Sequence, residues 1–124
     1  MAKKILVVDD DPSIVEMLES RLKRRGYSII TALDGKKCIE EAKEKKPDLI
    51  LLDVNMPELD GFAVCKYLKE DNKTKDIPII MLTALAKEKD LAKGLEEGVY
   101  SFISKPFNFG DLLSEIETAI NRKS

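Results

Sequence analysis

The chain has 124 residues, with 21 Lys and Arg against 23 Asp and Glu, a net charge of −2, and neither His nor Trp. That length suits one domain, and 44% apolar with 35% charged residues supports a single compact core beneath an ionised surface. The missing histidine excludes imidazole-activated nucleophiles, His-ligated zinc and self-phosphorylation on histidine, and the near-neutral balance argues against a nucleic-acid-binding domain.

In chain order, Met1 to Lys4 leads into only four apolar residues before three aspartates, so no signal peptide is expected. No stretch approaches the ~20 apolar residues of a membrane helix, which predicts a cytoplasmic protein without membrane contact. The first β-rich apolar run is 5–8. A helix over 13–24 follows, with Pro12 at its entry, Ile14, Met17, Leu18 and Leu22 on one face, and Gly26 as its stop. A second strand over 29–32 precedes a helix over 35–45, capped by Asp34 and burying Cys38, Ile39 and Ala42. The basic runs at 23–25 and 43–46 close these helices, where cations complement the last free carbonyls. A third strand, 49–52, leads to a helix over 61–70 that buries Phe62, Cys65 and Leu68. The two cysteines are expected to be buried, reduced thiols.

The fourth strand is predicted over 77–82 and the fifth over 102–103. The helical segment between them, 87–97, has only Leu91 and Leu95 as a stripe and Gly94 inside, so it is the least firmly held. A last helix over 111–122 presents Leu112, Leu113, Ile116 and Ile120, with Asn108 as N-cap. Strict β–α alternation with unbroken apolar strands predicts a doubly wound α/β domain, 1–124, whose parallel sheet is covered on both faces.

Right-handed crossovers put every strand's carboxyl end on one edge. There the sequence offers Asp9, Asp10 and Asp11 after the first strand, Asp53 then Asn55, Met56 and Pro57 after the third, Thr83-Ala84 after the fourth and Lys105-Pro106 after the fifth. Clustered carboxylates raise one another's pKa unless a cation neutralises them. An all-oxygen donor set selects a hard cation, Mg²⁺, for which Mn²⁺ can substitute. Three aspartates would repel the phosphate of a flavodoxin-like mononucleotide site. A metal beside a carboxylate, a lysine and a hydroxyl is instead suited to phosphoryl transfer onto the carboxylate. Each residue has an ordinary reading too: N-caps for Asp9 to Asp11, a strand residue for Thr83, a loop lysine for Lys105. Four such placements at four strand ends are improbable together.

The stretches Ile5-Leu-Val-Val-Asp9-Asp10-Asp11, Leu51-Leu-Asp53-Val-Asn-Met56-Pro57 with Asp60-Gly61, Met81-Leu-Thr83-Ala84 and Ser104-Lys105-Pro106-Phe107 resemble the response-regulator receiver domain of two-component signalling, including its single-domain chemotaxis members. The resemblance implies a (βα)5 flavodoxin-like fold with strand order 2-1-3-4-5. It implies that Asp53 accepts a phosphoryl group from a sensor histidine kinase or histidine phosphotransfer protein. Asp10, Asp53 and the Asn55 carbonyl would ligate Mg²⁺, with Asp9 acting mainly through water. Thr83 would be the switch hydroxyl, Phe102 the switch aromatic, and Lys105, preceding a cis proline, the cation on the phosphoryl group. Phosphorylation would switch the surface of the fourth helix, fifth strand and fifth helix toward a downstream target protein or output domain, without direct nucleic-acid contact. Such a module is not a turnover enzyme; it catalyses only its own phosphorylation and autodephosphorylation. Two other readings compete with this one. An aspartyl phosphatase needs an acid/base Asp where Asn55 stands, and a pseudo-receiver lacks site residues that are present here.

The chain departs from the family pattern at three places. Val99-Tyr100-Ser101 replaces an Ala and two acidic residues, and Glu115 replaces the Arg of the winged-helix transcription-factor subgroup. That subgroup's salt-bridged dimer is therefore not expected, leaving a monomer or a weak phosphorylation-dependent dimer. Leu85 is apolar where the chemotaxis regulator is acidic, so no charge there orients an attacking water. Leu85→Glu should shorten the lifetime of the Asp53 phosphate, measured by loss of label; a wild type that loses label quickly and at the variant's rate would refute this.

Overall fold

A computed structural model describes residues 2–56, 58–84, 96 and 98–122. The predicted fourth helical segment falls largely outside them, as do Leu85 and Pro57. Five strands, β1 (Lys4–Val8), β2 (Ser28–Ala32), β3 (Leu49–Asp53), β4 (Ile79–Thr83) and β5 (Ser101–Ser104), form one parallel sheet in the order β2-β1-β3-β4-β5. The helices are α1 (Pro12–Lys23), α2 (Gly35–Lys45), α3 (Gly61–Glu70) and α4 (Phe109–Asn121), the last being the fifth predicted helical segment.

Alternation along the strands divides the core in two, since successive side chains point to opposite faces of a sheet. Leu6, Val8, Ile50, Leu52, Ile79 and Met81 pack with Cys38 and Ala42 of α2 and with Phe62, Val64, Cys65 and Leu68 of α3. Ile5, Val7, Leu49, Leu51, Ile80 and Leu82 pack with Val15, Leu18 and Leu22 of α1 and with Leu112, Ile116 and Ala119 of α4. The doubly wound arrangement follows directly, because each strand is apolar on both sides and needs cover on both. Burial in this core pushes the Cys38 thiol up to about 12, with Asp34 adding repulsion, so it stays protonated.

Side-chain caps set the helix starts. Asp11 accepts from the Ser13 N–H at 2.9 Å, Asp34 from Lys37 at 2.8 Å, Asp60 from Ala63 at 2.9 Å and Asn108 from Asp111 at 3.2 Å. Boundaries move by a residue or two: α1 begins at Pro12 and α4 directly after its cap at Phe109. The start of β4 moves by two residues. Ile77 donates to Thr74 in a turn, and Pro78 has no N–H to offer, so the ladder starts at Ile79.

Ser101 and Glu115, two of the positions that depart from the winged-helix pattern, meet each other: the Ser101 hydroxyl donates to Glu115 Oε2 at 3.1 Å, joining β5 to α4. Among the described residues no helix is long and apolar enough to cross a membrane.

Leu51, fully buried at the centre of β3, is a direct test of this packing. Leu51→Ala should cost about 2–5 kcal/mol of unfolding free energy, read from urea denaturation with an unchanged m-value.

Candidate functional site

The carboxyl edge is built by strand register. Val8 of β1 pairs with Leu52 of β3, so one step further along both strands Asp9 lies beside Asp53 on the same face of the sheet. Asp9 extends the sheet by donating its N–H to Ala32 at 3.3 Å, and Asp53 still belongs to β3. Both are nearly inaccessible, Asp9 at 1% and Asp53 at 4% exposure. Asp10 is exposed and joins them: one oxygen from each of Asp9, Asp10 and Asp53 lies within 4.8 Å of the others.

The third aspartate of the run has a different task. Asp11 caps α1, and its own N–H donates to Asp9 Oδ1 at 3.0 Å, which fixes the Asp9 rotamer. The ordinary capping reading thus applies to Asp11, while Asp9 and Asp10 face the cluster.

Lys105 supplies the counter-charge. Its Nζ lies 2.8 Å from Asp9 Oδ2 and 3.2 Å from Asp53 Oδ1, bridging residues 96 and 52 positions away. The backbone brings it there by continuing β5: Ser104 pairs with Thr83, and the Lys105 N–H donates to the Thr83 carbonyl at 2.7 Å. The Lys105–Pro106 peptide is cis. Burial disfavours the ammonium, yet the hydrogen bond to Asp9 and the charges of Asp53 and Asp9 outweigh it and hold Lys105 above its usual 10.5. Asp53 moves the other way from a salt-bridged carboxylate. Desolvation first, then the Asp9 charge, raises it above 3.8 despite Lys105 and a hydrogen bond from the Asn55 backbone.

Thr83 ends β4, 2% exposed. Phe102 pairs with Met81 and Ser104 with Thr83, so Thr83 and Phe102 point to one face of the sheet, two residues apart along the ladder. Phe102 is half-buried against the core under α2 and α3. Sequence reasoning overlooked an apolar recess of about 400 Å³ next to the cluster, lined by Ile14, Met17, Ala84, Lys105, Pro106 and Phe107. Its signal was present in Ile14 and Met17, which the helical period placed in the core but which stand half-exposed at its edge.

Residues 5–117 match the family described as the response regulator receiver domain. The chain is 45% identical over 122 residues to the alkaline phosphatase synthesis transcriptional regulatory protein PhoP of Bacillus subtilis, covering 98% of this chain and 50% of PhoP. It therefore spans about half the length of that relative. Among solved structures, the Vibrio cholerae chemotaxis protein CheY4 aligns with a TM-score of 0.92 and 34% identity, covering 96% of this chain and 99% of CheY4. The receiver domain of the sensor histidine kinase PA1611 of Pseudomonas aeruginosa, solved with magnesium coordinated in its active-site cleft, aligns at 0.88 with 29% identity, covering 97% and 98% of the two chains.

The electrostatics have measurable consequences. A carboxyl whose folded pKa is raised binds its proton more tightly in the native state. Asp53 thus contributes stability at acid pH that is lost as pH rises from 3.8 through its raised value. Without divalent cations, Asp53→Asn should raise Tm at pH 7, with the gain shrinking toward pH 3.8. A variant equally or less stable than wild type at pH 7 would contradict the raised pKa. Lys105 follows the same sign in an alkaline window: its contribution is complete below 10.5 and is lost as pH climbs through its raised pKa.

Proposed function

We propose, for a chain that belongs to the response-regulator receiver domain family, that Asp53 is the phosphoacceptor of a phosphorylation-controlled signalling module. The observation that supports this most is the single Lys105 ammonium at 2.8 Å from Asp9 and 3.2 Å from Asp53, over a three-carboxylate cluster. One positive charge does not balance three carboxylates, and an all-oxygen donor set with no imidazole or thiolate fits a hard divalent cation. Asp10, Asp53 and the Asn55 carbonyl would hold Mg²⁺, with Asp9 acting through water; Mn²⁺ fits the same set. The magnesium in the PA1611 receiver domain supports this choice. The bound cation supplies charge neutralisation for the carboxylates and for the phosphoryl oxygens.

The chain's own residues do the rest. An Asp53 carboxylate oxygen attacks phosphorus; the new P–O bond forms as the donor's P–N bond breaks, and the electron pair leaves on the donor imidazole, which takes up a proton. Since these 124 residues contain no His, the phosphohistidine lies outside them, on a sensor histidine kinase or a phosphotransfer protein. Lys105 exchanges its carboxylate contacts for a phosphoryl oxygen and offsets the developing charge. The Thr83 hydroxyl turns to the phosphoryl group, and Phe102, on the same face of the ladder, follows it inward. With no hydroxyl on its ring, Phe102 signals by shape alone. The surface of the fourth helical segment, β5 and α4 thereby changes for a downstream target protein or output domain. The protein acts in the cytoplasm through protein contacts, catalysing only its own phosphorylation and the hydrolysis that ends it. Asn55, where an aspartyl phosphatase needs an acid/base carboxylate, disfavours turnover on other substrates.

Incubation with acetyl phosphate and Mg²⁺ should give one phosphoryl group per chain, read by intact mass. Asp53→Asn should abolish it, and Lys105→Ala should slow it by about 10²-fold or more. Hydrolysis of unrelated phosphomonoesters, or an adduct that persists in Asp53→Asn, would refute the assignment.

A further inference from the structure

Helix propensity disfavours glycine at the start of α3, where its backbone is not in the left-handed region, since alanine loses less entropy in a helix. The reason for Gly61 is therefore tertiary. A Cβ added at Gly61 would stand 2.6 Å from the Asp53 carbonyl oxygen, 2.9 Å from Val54 Cα and 3.3 Å from the Asp53 carbonyl carbon. All three are backbone atoms, so no side-chain rotation relieves the contact.

Nor can either backbone yield freely. The Gly61 N–H donates to the Val54 carbonyl at 2.9 Å, and the Val54 N–H donates to Leu82 at 3.1 Å, tying the start of α3 to the end of β3 and to β4. On the other side Phe62, Val64 and Cys65 are packed into the core. Restoring ordinary van der Waals separation takes roughly 0.8 Å of movement, shared between α3 and the Asp53–Val54 peptide. The Asp53 carboxylate lies one side chain from that peptide, at 3.2 Å from Lys105, where such a displacement breaks the contact.

We infer that Gly61 is a positioning residue for Asp53: by lacking a side chain it lets α3 rest directly on the Asp53–Val54 backbone and so fixes the carboxylate against Lys105, Asp9 and Asp10. This rests on the reading of Asp53 as phosphoacceptor and names the residue that sets its place. Gly26 is the natural comparison. It has φ +93° and open space around the position of a Cβ, so Gly26→Ala strains the turn between α1 and β2, away from the carboxyl edge.

The test compares wild type, Gly61→Ala and Gly26→Ala in three measurements: the ¹³Cγ shift of Asp53, assigned against Asp53→Asn; Mn²⁺ affinity; and the rate of labelling by acetyl phosphate with Mg²⁺. Gly61→Ala should move the Asp53 ¹³Cγ resonance and lower Mn²⁺ affinity and labelling rate by about 10- to 100-fold. Gly26→Ala should leave all three within about twofold of wild type although it lowers Tm. If Gly61→Ala unfolds in buffer, the series is repeated in trimethylamine N-oxide, which favours the compact state. A folded Gly61→Ala with an unmoved resonance and with affinity and rate within about twofold of wild type overturns the inference. A wild type that neither binds Mn²⁺ nor accepts a phosphoryl group overturns the phosphoacceptor reading instead, and the ¹³Cγ comparison still decides the positioning role.

Discussion

Asp9 and Asp53 stand side by side at the ends of adjacent parallel strands, and the Lys105 ammonium offsets their repulsion. Parallel pairing in register is what forces this meeting: once Val8 sits beside Leu52, the next two side chains, on the opposite face, also fall side by side. Burial sharpens the conflict, because a carboxylate sheltered from water depends more heavily on nearby charge. The balance is incomplete. Lys105 holds its proton firmly while Asp53 is pushed toward its neutral form, which is the condition of a site with room for further positive charge.

The rest of the molecule holds that edge in place. Strands that are apolar on both sides demand two helical layers, and those layers hold the strand ends along one edge of the sheet. Capping aspartates and an asparagine start four helices near the same edge, so Asp11 and Asp60 serve the backbone within a few residues of Asp9 and Asp53. Backbone contacts do as much as side chains here: Lys105 is anchored by the Thr83 carbonyl, and α3 presses on the Asp53 peptide at Gly61.

Much of this was legible in the residues. The strands were visible as apolar runs, and Asp34 and Asn108 as caps, because these are local effects of propensity and hydrogen bonding. Asp53 stood out for ending an apolar strand. Val15 and Ala119 were missed although both are buried, since a helix packed in a layered domain buries a broader stripe than one face suggests. The start of β4 was missed because Ile77 is apolar and nearly buried without belonging to the ladder. Three consecutive aspartates could not be ranked from their order alone: which one caps and which two join the carboxylate cluster depends on where β1 ends and α1 begins.

The sequence by itself determined the alternation of strands and helices, the two-sided burial of the sheet and the residue types at its carboxyl edge, because each is written in local periodicity and composition. Only the tertiary structure decided which carboxylates share Lys105, that Asp11 belongs to the helix and not to the cluster, and that residue 61 has no space for a side chain. Those are distances between segments as much as 96 residues apart. Strand register and helix packing set them, and no run of neighbouring residues encodes them.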